Sequence, residues 1–144
     1  RPKTVGSSAG HALARTSPFY AARLAWVPEL LAAAYKGIQE RDLIRLGAAA
    51  EADALAMHAV MMTSQPPLLY WQPATVRVIQ AVRAWRDEEL PVYFTIDAGP
   101  NVHCLCLPEV VEEVKTRLRN LPGVQNVLVS GPGGGVRLTE HHLF

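Results

Sequence analysis

Chemistry-bearing side chains are sparse in this chain, and the most sharply placed is Asp97. It follows Val92-Tyr93-Phe94-Thr95-Ile96, five β-branched or aromatic residues that read as a buried strand. Gly99-Pro100 then enforces a turn. A second strand pattern comes next, with Val102, Cys104 and Cys106 on one face and His103, Leu105 and Leu107 on the other. A carboxylate where a strand stops is rigidly held and suited to taking a proton. Asp also caps turns through its own backbone, and the pattern alone leaves both roles open.

The remaining candidates are weaker. Gly6-Ser7-Ser8-Ala9-Gly10 invites a phosphate-binding reading, since backbone N–H groups ahead of a helix attract anions. No Gly-Lys-Ser/Thr follows, so it is not a Walker loop, and a turn before a helix explains it equally well. His58 is a possible ligand or base, but a lone His on a mostly apolar helix is more often a satisfied core residue. Met57, Met61 and Met62 suggest helix packing ahead of an adaptable groove. Cys104 and Cys106 occupy alternate positions of one strand, where no unstrained disulfide forms, and a single Cys-x-Cys lacks the ligand count of a zinc site. No metal ligands are expected. Gly131-Pro132-Gly133-Gly134-Gly135 could cradle a phosphate, though a hairpin connection accounts for it more simply.

These residues need a scaffold, and the chain supplies helices first. Ser17 and Pro18 read as N-cap and first residue of a helix carrying Leu24, Val27, Leu30, Leu31 and Ala34 inward, ending near Gly37 and kinked or divided at Pro28. A second, Ala-rich helix spans about 42–64, with Leu43, Leu46, Ala50, Leu55 and Met62 as core positions. Gln65-Pro66-Pro67 stops it. Pro73 opens a third helix through Val76, Ile79, Val82 and Trp85, and Pro108 a fourth with Val110, Val111, Val114 and Leu118 inward. Strands are expected at Val124–Ser130 and Val136–Thr139. The sum is an α+β domain over 1–144, an antiparallel sheet with helices on one face.

Composition agrees. The 144 residues are enough for one core, and 14 basic against 13 acidic residues give a net charge of +1. No basic stripe interleaved with aromatics appears, which argues against nucleic acid or an anionic membrane as partner. Apolar runs fall short of a membrane span, and unpaired cysteines fit a reducing cytoplasm. The opening Arg1-Pro2-Lys3 reads as the interior of a longer polypeptide.

Several strings, taken together, resemble one family. Tyr93-Phe94-Thr95-Ile96-Asp97-Ala98-Gly99-Pro100-Asn101-Val102 is similar to the signature of the diphosphomevalonate decarboxylases, members of the GHMP kinase superfamily. In the same order as in that family stand Ser7-Ser8-Ala9-Gly10, Thr16-Ser17-Pro18, Met57-His58-Ala59 and Pro66-Pro67-Leu68-Leu69-Tyr70-Trp71. His11 departs from the pattern, where the family usually has Met. The resemblance implies the C-terminal, ferredoxin-like domain of a homodimeric, cytoplasmic enzyme of isoprenoid and sterol biosynthesis, with the ATP-binding domain elsewhere. It implies ATP and Mg2+ bound mainly by that missing part, and mevalonate 5-diphosphate as substrate. Asp97 matches the family's catalytic aspartate, aimed at the substrate 3-hydroxyl, and Ser7 a serine near the substrate's phosphate-bearing end. The N–H groups of Ala98 and Gly99 are further expected to orient the substrate carboxylate. A nearby anion would raise the pKa of Asp97 and loop donors would lower it. Three other functions fit the same strings: phosphomevalonate decarboxylase, a GHMP small-molecule kinase, and a non-catalytic ferredoxin-like ligand-binding module.

Overall fold

A computed structural model describes residues 7–138, with the side chains of Ser7 and Ala9 excepted. The described residues form five α-helices and one hairpin, α1 (Ser7–Ala14), α2 (Tyr20–Glu40), α3 (Leu43–Met62), α4 (Pro73–Asp87), β1 (Val92–Thr95), β2 (His103–Cys106) and α5 (Val111–Arg119). The architecture is α+β, and no described helix is long and apolar enough to cross a membrane.

The hairpin is antiparallel, pairing Val92 with Cys106 and Phe94 with Cys104. Val92, Phe94 and Ile96 share one face and pack on Val78, Ile79, Val82 and Trp85 of α4 and on Val114 and Leu118 of α5. Cys104 and Cys106 are free thiols lying opposite Phe94 and Val92, on one face as their spacing demands. Burial pushes the Cys104 thiol up to about 12 and raises that of Cys106.

Helix α3 meets the sheet differently. The N–H of Phe94 donates to Glu51 Oε1 at 3.1 Å, and the Val92 carbonyl accepts from Arg86 Nη1 at 2.9 Å. Those backbone groups therefore point away from β2, and α3 runs along the free edge of β1. Glu51 and Arg86 close a bidentate ion pair there, with Glu51 only 7 % exposed and the guanidinium 4.6 Å from the centre of the Tyr93 ring. An unpaired strand edge is a template for unwanted pairing, and this pair covers it. Gly47 lets the helix come close: a Cβ there would stand 2.0 Å from Cγ of Tyr93. The expected helices on one face are thus α4 and α5, whereas α3 lies along the edge and α2 packs on α3.

Other expectations are corrected. The segment from Ser7 is itself a helix, since Ser7 begins α1. Ser17 does not cap α2: its hydroxyl accepts from Phe19 N and pairs with Thr63 Oγ1, and the helix starts at Tyr20. Pro28 does not divide α2, which runs on past Gly37 to Glu40, where Arg41 takes a left-handed conformation. Leu24 and Leu31 face outward, and only Leu30 and Gly37 of α2 are buried. Met62 and Val76 are likewise exposed. Asp42 does cap α3, accepting from Arg45 N. Pro108 opens a single 3-10 turn (Pro108–Val110) before α5. No strand forms over 124–138: Val124 and Val127 touch the core, but Leu128, Val136 and Leu138 stand exposed, and no ladder bond joins this segment to β2. β-branched content without ladder bonds to a neighbour does not make a strand. Thr139 lies outside the described residues.

Glu51→Ala strands a guanidinium that is three-quarters buried and leaves Phe94 N–H unpaired. The expected cost is about 3 kcal/mol, the low end for breaking a buried pair, read by urea denaturation. Iodoacetamide at pH 8 is expected to spare Cys104 in the folded protein and to modify it after denaturation, by intact mass.

Candidate functional site

Where β1 ends, the chain is fastened at two points. The Asp97 side chain is exposed, and its Oδ1 accepts from Gly99 N at 2.9 Å. Gly99 takes φ +69°, a conformation that favours glycine, and its peptide to Pro100 is cis. The Asp97 carbonyl accepts from His58 Nε2 of α3 at 2.8 Å. A carbonyl oxygen can only accept, so Nε2 carries the hydrogen. His58 is 1 % exposed, and desolvation lowers its pKa against the opposing pull of the Asp97 carbonyl and charge. The ring is therefore neutral near pH 7.

Two aromatic rings surround that imidazole. Trp71 lies with its ring centre 5.1 Å away, tilted by 51°, and Tyr70 6.4 Å away, edge-on at 76°. The Trp71 indole N–H is buried without a hydrogen-bond partner among the described residues. Tyr70 also ties α1 to the loop. Its hydroxyl lies 3.0 Å from where a Gly10 Cβ would stand, and its backbone oxygen and Cβ lie 3.7 and 3.9 Å from the position of a Gly99 Cβ. Residues distant in sequence, on α1, α3 and the 68–72 connection, thus meet beside the strand end that carries Asp97.

The expected site residues fare unevenly. Asp97 stands at the strand end, and both its carboxylate and its carbonyl are held. Gly99 N–H donates to that carboxylate and so orients Asp97 relative to the loop. Ala98 is half-buried beside it. Ser7 begins α1 on the element that reaches Tyr70, but its side chain lies outside the described residues. His11 is exposed on α1. The glycines at 131, 133, 134 and 135 have nothing within 4 Å of a Cβ position and form no cradle. Sequence reasoning missed Tyr70 and Trp71 as partners of His58; the Pro66-Pro67 break that turns the chain back over α3 was the available signal.

Asp97 does not line the described cavity of about 380 Å³, which opens between α2 and α3 among Phe19, Trp26, Ala56 and Val60. No group of three His, Cys, Asp or Glu side chains fit to hold a metal ion occurs among the described residues.

Comparison with known proteins gives the context. Residues 1–130 match the family profile described as the mevalonate 5-diphosphate decarboxylase C-terminal domain. A phosphomevalonate decarboxylase of Haloferax volcanii is 35 % identical over 131 residues, covering 90 % of this chain and 40 % of its own length. A solved mevalonate diphosphate decarboxylase from Staphylococcus aureus superposes with TM-score 0.79 at 36 % identity, over 85 % of this chain and 38 % of that one. One from Enterococcus faecalis, described by a mevalonate diphosphate-mediated mechanism of ATP binding, gives 0.77 at 35 %, over 83 % and 38 %. The chain thus spans about 40 % of the length of such relatives. With a profile match over most of its residues, this chain belongs to the mevalonate 5-diphosphate decarboxylase C-terminal domain family.

Proposed function

We propose that this chain is the C-terminal part of an ATP-dependent decarboxylase that converts mevalonate 5-diphosphate to isopentenyl diphosphate, phosphate and carbon dioxide. The observation that carries the reading is Asp97, within the family-like string, held through both its carboxylate and its carbonyl at a strand end. In the proposed reaction the tertiary 3-hydroxyl attacks the terminal phosphorus of ATP and its proton passes to Asp97. ADP leaves, and loss of the new phosphate with carbon dioxide then forms the double bond. A positioned base of this kind supplies about 10²–10⁴-fold in rate.

Among the described residues no group of three His, Cys, Asp or Glu side chains that could hold a metal ion includes Asp97. Nucleotide and metal are assigned to the remainder of the polypeptide, in keeping with the ATP named for the Enterococcus relative. Ser7 is assigned to the phosphate-bearing end of the substrate, and Ala98 N–H to its carboxylate. A cytoplasmic homodimer belongs to the same proposal. The Haloferax similarity, with His11 at the departure from the family pattern, favours one second reading: the same chemistry on mevalonate 5-phosphate.

Asp97→Asn in the full-length protein is expected to lower kcat for carbon dioxide release at least 10²-fold with the melting temperature unchanged. Retention of most of kcat overturns the assignment. Turnover of the diphosphate should exceed that of the monophosphate, and the reverse order selects the second reading. The 144-residue chain alone is expected to release no carbon dioxide from either substrate with ATP and Mg2+ present.

A further inference from the structure

We infer that His58 is a positioning residue for Asp97, holding the carboxylate in register by donating from Nε2 to the Asp97 carbonyl. The inference rests on the proposed role of Asp97 and deepens it. Three observations carry it. Burial is nearly complete, so the imidazole reaches neither solvent nor substrate and acts only through what it touches. Its Nε2–H bond, at 2.8 Å, ends on the backbone of the one exposed carboxylate at the strand end. The rings of Trp71 and Tyr70 bound the imidazole and fix its plane.

The physical consequence concerns placement. Beyond Thr95 the β1–β2 pairing has ended, so Asp97 has no ladder bond to define its backbone. The Gly99 N–H bond orients the carboxylate relative to the loop, while His58 anchors the loop relative to α3. Without the anchor, the carboxylate moves with the loop. A misplacement of about 1 Å at a reacting group costs on the order of 10²-fold.

Three substitutions in the full-length protein separate positioning from simple packing. His58→Gln places an amide donor near the position of Nε2, His58→Asn keeps a polar group that falls short, and His58→Leu removes it. The expected order is a kcat within threefold of the parent for Gln, and losses of tenfold or more for Asn and Leu. KM for mevalonate 5-diphosphate should stay within threefold throughout. If His58→Leu does not fold, the Gln to Asn ratio decides. Equal kcat for Gln and Asn overturns the inference, as does a uniform loss of kcat or of the fold itself in all three. Asp97→Asn runs beside them: its retaining turnover defeats the reading of Asp97, whereas its inactivity together with an unimpaired His58→Asn defeats only the role of His58.

Discussion

The structure depends on closing the open edge of a two-stranded sheet. A lone hairpin is marginal in water, and β1 presents backbone groups that β2 cannot reach. Glu51 and Arg86 meet this need together, since the carboxylate takes the Phe94 N–H and the guanidinium takes the Val92 carbonyl. Each ion also neutralises the other, which makes burial of the pair tolerable. Packing follows from that closure: α3 is drawn against the strand, α2 lies on α3, and the opposite face of β1 is left for the apolar side chains of α4 and α5.

The proposed chemistry sits where this closed region ends. The carboxylate of Asp97 remains in solvent while its backbone is tied to the core through His58. Such an arrangement separates two tasks that conflict in one side chain: being accessible to a reactant and being rigidly placed. A dry, neutral imidazole suits the second task, since it donates a hydrogen bond without bringing a charge into the core.

Much of this was legible from residue order. The strand from Val92, the stop at Asp97 and the Gly99-Pro100 turn are local signals, and local chemistry determined them. Helices at 43–62 and 73–87 followed from Ala-rich composition, the proline breaks and apolar spacing. Contacts across long separations were opaque. Glu51 reads as one more polar residue on an Ala-rich helix, and nothing nearby in sequence shows that a strand more than forty residues later needs an acceptor. Likewise His58 read as core packing, and only the fold reveals which carbonyl it meets. The expected strands after Val124 failed in the opposite way: their side chains favour a sheet, but over 124–138 the chain forms no ladder with β2.

Helix α3 touches β1 and the chain just beyond it at two separated points, Glu51 at the Phe94 N–H and His58 at the Asp97 carbonyl. Seven residues of helix rise about 10.5 Å, and three residues of strand advance about 10 Å. The two elements are therefore commensurate, as a gauge block is with the gap it measures. Exchange of one side chain for another leaves that correspondence intact, but a single insertion or deletion between either pair of anchors turns one contact by about 100° around the helix or moves it to the opposite side of the strand. Length over these short intervals, more than the identity of any residue within them, is what keeps the carboxylate in its place.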